Sequence, residues 1–513
     1  MMKNRPKILL LQPMSEIQDD FVPLGLAYIG AIFRDNHCQV KIIDASAPYA
    51  SYSIEDIERE VKEYEPDIVG VTLTVIFAKY AYEILKRLSK NPGLILIVGG
   101  PHASILPREP LRYGADIVVR GEGEETCLDI LDYLKGERKL EDILGISYKN
   151  SRGEFIDNPP RSLIFDLDTL PLPAKDLFKK EDFVRTPADL IRFSYVMTGR
   201  GCPGDCAYCA NKLVWGRQVR SRSAENIISE IEFLRENYGL KKIQFIDDSF
   251  TADRKKVLEL CERIIEKLPG LEWNCITRTD LVDLALLQKM KKAGCSHINY
   301  GLESGDMETL KKIGKGIAPE YSEKVIRWTK ESGITVGVNF MQGFPWEMPA
   351  NLQKTRIFIK KIKGFVRDIM PGGILIPYPG TRIYQDYKDK YGFENWWLKR
   401  EIPDLKKLRT SPPFFEKIFF FYDTLRYNYF NYPKEIFGEI KKTARVIGRH
   451  NLLWFSKQIS SFPPFYYLIR EMLFILVLIS QALYKLSPTL ERIIMRQFLM
   501  MATKKEAAIR SRE

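Results

Sequence analysis

The chain has 513 residues, 45% apolar and 28% charged, with 33 Gly and 29 Pro; this is the composition of folded protein and excludes wholesale disorder and fibrous repeats. The net charge of +12 is uneven, because residues 401–513 hold 19 basic against 10 acidic side chains. That surplus points to an anionic partner or to a solvated basic surface. From the N-terminus, strand-like runs alternate with helix-like ones: Lys7–Leu11, Val40–Asp44, Asp67–Leu73, Leu94–Val98 and Ile117–Val119 against Pro23–Phe33, Ile54–Tyr64, Ala78–Ser89 and Glu125–Leu134. Continuous apolar strands separated by helices predict a doubly wound parallel sheet, an α/β fold. Ligands of such sheets bind at the carboxyl ends of the strands. Those ends carry Pro13, Asp44, Thr72 and Thr74, Gly99-Gly100 with His102, and Gly121-Glu122. Neither G-x-G-x-x-G nor a P-loop is present, which argues against a dinucleotide, although a nucleotide or regulatory Rossmann-like module stays open.

Asp142–Asn158 alternates around a Gly-containing turn and reads as a β-hairpin, and Asn158 to Pro173 is a Pro-rich connector. Cys202, Cys206 and Cys209 then fall within eight residues as C-x3-C-x2-C, whereas Cys38, Cys127, Cys261, Cys275 and Cys295 are dispersed. Three thiols cannot all pair as disulfides, and a structural zinc would want a fourth ligand, whereas the following 50 residues hold no Cys or His. Three thiolates on an iron–sulfur cluster leave one iron open, and Gly201 and Gly204 supply a tight backbone. Further strand–loop–helix units follow: Ile243–Ile246 ends at Asp247-Asp248, Trp273–Ile276 at Thr277-Arg278, His297–Tyr300 at Gly301-Leu302-Glu303-Ser304, Thr335–Met341 at Gln342-Gly343, and Ile374–Ile376 at Pro377-Tyr378. With the strand Phe193–Met197 these make six, which predicts an open parallel barrel with function at the carboxyl ends.

Two sets of residues resemble known families. The cysteine segment, with Tyr208 before the third cysteine, resembles the radical S-adenosylmethionine signature; F-I-D-D-S-F, G-L-E-S-G, G-F-P and P-Y-P-G-T resemble the strand ends of its cobalamin-binding branch. P-L-G-L-A-Y (23–28), V-G-G-P-H-A-S (98–104) and R-G-E-G-E (120–124) resemble the cobalamin domain fused to those enzymes. The family includes magnesium-protoporphyrin cyclases and cobalamin-dependent methylases. The resemblance implies a 4Fe-4S cluster on Cys202, Cys206 and Cys209, and S-adenosylmethionine against Tyr208, Asp247, Asp248, Glu303, Ser304 and Gly343. It implies cobalamin over Pro13, Asp44, Thr72, Thr74, Gly99, Gly100, His102, Gly121 and Glu122. The D-x-H-x-x-G loop of cobalamin mutases is absent, so a histidine lower ligand is not implied. Helix capping is the alternative for the aspartates, and a surface ion pair for Glu303. Arg278 is a candidate substrate clamp or a salt bridge at the barrel rim.

The expected domains are 1–138 (cobalamin), 139–190 (hairpin and linker), 191–395 (radical S-adenosylmethionine partial barrel) and 396–513 (helical, basic, aromatic-rich). The last reads as a cap on the barrel, with or without interfacial membrane contact. Its uncharged run Met472–Tyr484 has 13 residues, short of the roughly 20 that span a bilayer, and no signal peptide is read at the N-terminus. The expected location is cytoplasmic, peripheral at most. Expected partners are a small-molecule or lipid substrate and a low-potential electron donor of the flavodoxin or ferredoxin type. Nucleic acid is not expected, since the basic residues form no aromatic-and-basic stripe. The expected reaction is C-methylation of an unactivated carbon on a hydrophobic or secondary-metabolite substrate. The alternatives are the same cofactors without net methyl transfer, as in oxidative cyclisation or ring rearrangement of a tetrapyrrole or lipid, and a non-enzymatic redox sensor.

Overall fold

Apolar residues that run unbroken through a strand demand cover on both faces, and the first sheet shows this directly. Ile8, Leu9, Leu10 and Leu11 of β1 (Lys7–Gln12) are all at most 2% exposed. In the computed structural model, which describes residues 5–15, 20–399 and 429–459 together with Met472 and Ile475, the chain divides into two compact units. The first is built from residues 1–298, 313–315 and 376–403, and the second from 299–312, 316–375 and 404–513.

In the first unit, β1 is followed by β2 (Gln39–Asp44), β3 (Ile68–Thr72), β4 (Ile95–Gly99), β5 (Ile117–Val119), β6 (Ile146–Lys149) and β7 (Phe155–Asp157). They form one sheet of order β2-β1-β3-β4-β5-β6-β7, parallel through β5 and antiparallel beyond it. The order reverses between β1 and β3, and that switch point opens a crevice at their carboxyl ends. The connecting helices are α1 (Leu24–Asp35), α2 (Ile54–Tyr64), α3 (Ala78–Leu88), the short α4 (Pro101–Ile105) and α5 (Arg108–Arg112), and α6 (Glu124–Lys135). Ser53 and Asp56 start α2 with a reciprocal capping box. The hairpin read from 142–158 is present as β6–β7, and it continues the first sheet, because Ile146 and Tyr148 bury against it.

The same unit holds β8 (Tyr195–Val196), β9 (Gly199–Arg200), α7 (Asn211–Trp215), β10 (Arg220–Ser221), α8 (Ala224–Tyr238), β11 (Lys242–Phe245), α9 (Arg254–Lys267), β12 (Glu272–Thr277), α10 (Leu284–Lys292) and the start of β13 (Cys295–Glu303). Strands β8, β11 and β12 run parallel in that order, and β9 and β10 form a separate antiparallel ribbon. In the second unit, the end of β13 leads through α11 (Met307–Lys312) and α12 (Pro319–Glu331) to β14 (Thr335–Gln342), α13 (Pro349–Ile362) and β15 (Asp368–Ile374). Strand β15 lies parallel to β14. Helix α14 (Arg382–Tyr391) belongs to the first unit and α15 (Lys434–Ile459) to the second.

Three sequence readings change. The last strand was expected at Ile374–Ile376; it lies at Asp368–Ile374, where Asp368 and Pro371 interrupt the apolar run that would have marked it. The expected Phe193–Met197 strand shrinks to two residues because a 3-10 turn occupies Pro187–Phe193. Strand β13 outruns the expected His297–Tyr300 and includes Glu303. The uncharged run Met472–Tyr484 and the basic tail lie outside the described residues except for Met472 and Ile475. Among the described residues no helix is long and apolar enough to cross a membrane.

Gly100 joins β4 to α4 at φ +102°, and a Cβ there would stand 2.9 Å from the Leu73 carbonyl oxygen. Gly100→Ala is therefore expected to lower stability by about 1–3 kcal/mol, read as a lower urea midpoint with an unchanged slope.

Candidate active site

The cysteine loop hangs from the β9–β10 ribbon. Gly201 follows β9 at φ +93°, and any side chain there would run into the Gln218 carbonyl, so the turn into Cys202 requires glycine. The Cys209 N–H donates to the Cys206 carbonyl at 3.1 Å, and the Ala207 N–H to the Ile313 carbonyl at 2.8 Å. All three cysteines are free thiols. Burial, with help from the neighbouring thiols, pushes Cys202 upward and Cys209 up to about 11. Thiols this reluctant to ionise by themselves become thiolates when a metal supplies the positive charge. Among the described residues no three His, Cys, Asp or Glu side chains converge as they would on a single metal ion. A cluster takes its thiolates on separate irons. Tyr208 is half-buried in the same loop.

Asp247 and Asp248 stand at the end of β11 and do different things. Asp247 accepts the N–H groups of Thr198 (2.8 Å) and Gly199 (2.6 Å) and the Thr198 hydroxyl (3.0 Å), so its carboxylate is occupied by the backbone that leads into the cysteine loop. Burial outweighs those donors and raises it to about 6. Asp248 accepts from the Asn211 amide at 2.5 Å, and burial raises it too. Arg278, at the end of β12, holds Asp280 with Nε and Nη2 at 2.9 and 2.8 Å and turns Nη1 toward Cys206 Sγ at 3.9 Å.

At the carboxyl edge of the first sheet, the Asp44 carboxylate accepts from Gln12 at 3.2 Å and from the Ser46 N–H at 2.8 Å, while the Ser46 hydroxyl donates to the Pro13 carbonyl at 2.7 Å. The Thr74 hydroxyl, just past β3 at the switch point, is buried with no hydrogen-bond partner. Gly121 sits at φ +75° with nothing within 4 Å of where a Cβ would be, and a Cβ at Gly99 would meet only Val119, at 3.9 Å. Thr72 packs its hydroxyl against Gly100. Two sequence candidates point elsewhere. His102 is 2% exposed, and its Nε2 lies 2.7 Å from Glu109, which also accepts from Tyr82 at 2.6 Å and Trp397 at 3.1 Å. Glu122 accepts from Arg200 at 2.6 Å, from Arg220 at 2.8 Å and from the Ile164 N–H at 2.7 Å.

In the second unit, Glu303 ends β13 at φ +66° and is 7% exposed. The Ser304 hydroxyl lies 3.0 Å from that of Thr355 and accepts the Asp306 N–H at 3.1 Å. Gly343 turns at φ +81° after β14. The sequence reading missed two residues that fix it. Glu347 accepts the Gly343 and Phe344 N–H groups at 2.7 and 3.0 Å, and the Tyr432 hydroxyl donates to the Gly343 carbonyl. Glu347 was visible as the fourth residue after Gly343 in G-F-P-W-E. Tyr432 had no local signal.

Two family models match the chain: the radical SAM superfamily over residues 196–359 and the B12 binding domain over residues 13–131. An uncharacterized methyltransferase of Pyrococcus horikoshii is 36% identical over 74% of this chain and 82% of its own length. The chain belongs to the B12-binding branch of the radical SAM superfamily. The anaerobic magnesium-protoporphyrin IX monomethyl ester cyclase of Rubrivivax gelatinosus is 27% identical over 74% of this chain and 70% of its own. Among solved structures, the cobalamin-dependent S-adenosylmethionine radical enzyme OxsB, with aqua-cobalamin and S-adenosylmethionine bound, superposes with a TM-score of 0.65 at 20% identity, covering 98% of this chain and 76% of that one. It shares the fold.

This radical SAM enzyme therefore uses a 4Fe-4S cluster, S-adenosylmethionine and cobalamin. Its residues fit them. Three free thiols share one glycine-framed loop, an orphaned buried hydroxyl lies past β3 at the switch point, and the open glycines Gly99 and Gly121 stand at the ends of the neighbouring β4 and β5.

Burial, with the nearby Asp306 charge adding to it, raises Glu347 from its ordinary 4.5 to about 8. Such a carboxyl keeps in the fold a proton that the unfolded chain has released. Stability from this group therefore falls as pH rises from about 4.5 toward about 8, by up to about 1.4 kcal/mol per unit. Urea melts between pH 5.5 and 8 should show the wild type losing stability relative to Glu347→Gln, whose side chain does not titrate; parallel pH profiles would refute the assignment.

Proposed function

We propose that this enzyme transfers a methyl group to an unactivated carbon of an apolar substrate. The observation that carries methylation is the 36% identity to a methyltransferase across 82% of that relative. Support for an apolar substrate comes from β12. Trp273, Cys275 and Thr277 are buried on one face, which leaves Asn274, Ile276 and Arg278 on the other by strand alternation. That is the face from which Arg278 reaches Cys206, and Ile276 on it is 42% exposed. In the second unit Met370 of β15 is 52% exposed while its neighbour Ile369 is fully buried.

In this reading residues 1–138 carry cobalamin and 191–395 the cluster and S-adenosylmethionine, with 139–190 joining them. When bound, the cluster would supply reductive cleavage of S-adenosylmethionine and cobalamin would supply a carrier for the methyl group. The chain's own residues hold and shield. Cys202, Cys206 and Cys209 ligate the cluster. Tyr208 and Asp248 of the first unit, and Glu303, Ser304 and Gly343 of the second, would each bind S-adenosylmethionine, and Asp247 positions the cysteine loop. Pro13, Thr72, Thr74, Gly99, Gly100 and Gly121 would hold cobalamin at the carboxyl edge of the first sheet, and Asp44, His102 and Glu122 would brace that edge. A low-potential protein of the flavodoxin or ferredoxin class supplies the electron.

Anaerobic turnover of reconstituted protein with a lipid extract, cobalamin, S-adenosylmethionine and reductant tests the reaction. Comparable amounts of 5′-deoxyadenosine and S-adenosylhomocysteine are expected. 5′-Deoxyadenosine alone would replace methylation by the cyclase-like reading that the Rubrivivax relative favours. Replacing all three cysteines by alanine should remove the brown chromophore and all cleavage of S-adenosylmethionine.

A further inference from the structure

Arg278 is held more firmly than a substrate clamp needs to be. Asp280 takes two corners of its fork, at 2.9 and 2.8 Å, so the guanidinium cannot swing toward solvent or ligand without breaking a bidentate pair. The remaining corner, Nη1, faces Cys206 Sγ at 3.9 Å. Glycine at 204 makes the approach possible, since a Cβ there would stand 2.9 Å from Nη1 and 3.5 Å from Cys202 Sγ. The side chain is 15% exposed, so water screens its charge poorly at this distance. Arginine never gives up its proton at accessible pH, and this cation is therefore permanent.

We propose that Arg278, oriented by Asp280, is a positioning residue for the cluster that raises its reduction potential. The inference rests on Cys202, Cys206 and Cys209 being the cluster ligands. Reduction adds one electron, drawn from the low-potential donor, to a cluster already carrying three thiolates. A fixed cation beside one ligand sulfur stabilises that added negative charge more than it stabilises the oxidised form. Donation to a ligand sulfur acts in the same direction. Lysine has a point charge and no fork, so it could not engage Asp280 and face sulfur in the same way.

The test compares reconstituted wild type with R278Q, R278K and D280N, each poised at one fixed ambient potential, with the reduced cluster counted by electron paramagnetic resonance. R278Q is expected to keep its iron while its reduced-to-oxidised ratio falls about tenfold, which is 59 mV for one electron. R278K should shift the same way by less; D280N, which deletes the negative charge paired with the guanidinium while its amide oxygen still accepts from the fork, should raise the ratio; and the affinity for S-adenosylmethionine should stay within about twofold of wild type. A full-iron R278Q with an unchanged ratio overturns the proposal. An unchanged ratio with weakened binding of S-adenosylmethionine or substrate also overturns it, in favour of a clamp. Should R278Q fail to assemble, R278K and D280N are judged by the same ratio. Retention of the cluster in C206A is a separate outcome that would sink the ligand assignment itself.

Discussion

The placement of the cysteine loop depends on four buried ions. Glu122 and Glu124, on the turn between β5 and α6, meet Arg200 of β9 and Arg220 of β10 at 2.5–2.8 Å, every side chain at most 7% exposed. The Arg200 guanidinium also lies over the rings of Trp215 and Tyr28, 5.0 and 5.6 Å from their centroids, and Arg220 donates to the Ile164 carbonyl at 2.6 Å. Desolvating four charges is expensive, and well-packed apolar residues could match the resulting stability. Apolar packing does not fix an angle, however. Two carboxylates against two forks do, and Arg200 is only two residues before Cys202. Deleting one partner would strand the others, a loss of about 3–5 kcal/mol. The sequence R-G-E-G-E therefore braces the loop that carries the cluster as well as lining a sheet edge.

A second buried group, Glu230 with Lys175 at 3.1 Å and Arg222 at 2.5 Å, ties the Pro-rich connector to α8 by the same logic. Arg222 reaches further and donates to the Met197 carbonyl at 2.8 Å. Asp247 then takes the amides of Thr198 and Gly199. The chain entering the cysteines is thus held at Met197, at Thr198 and Gly199, and at Arg200 by three different partners. The backbone beneath the thiols is therefore fixed by groups outside the loop.

Much of this was legible in the sequence. The strands of the first sheet were found to within a residue or so because buried parallel strands are continuous apolar runs. The C-x3-C-x2-C spacing is local, and so is its chemistry. What stayed hidden depends on where the chain returns. Arg278 could be placed at a strand end but not aimed, and the salt bridge considered for it and an approach to a cysteine both turned out to be present. Glu122 and His102 looked like ligand contacts because they follow glycines at strand ends, yet their partners lie up to 98 residues away for Glu122 and seven residues away for His102. Strand β15 was placed too late in the sequence because Asp368 and Pro371 break its apolar pattern.

The corner at Gly343 shows what one described stretch of the aromatic C-terminal region does. A peptide at positive φ has one amide and one carbonyl to place. Glu347, four residues on, receives the amide, and Tyr432, 89 residues on, donates to the carbonyl. The tyrosine is itself set by Phe430 and Phe437, whose rings lie 5.8 and 5.6 Å from its own. Helix α15 behind it is fastened to β15 by Asn451, which bonds the Ile369 amide at 3.1 Å and carbonyl at 2.9 Å, and to α13 by the Arg356–Glu439 pair. With both its groups bound, the Gly343 peptide cannot rotate, and the surface it presents is determined jointly by β14 and by a segment that follows the last strand. Tyr429, Phe430 and Tyr432, all at most 9% exposed, are aromatic because they complete that unit's core, so this stretch answers to the packing around a strand-end loop.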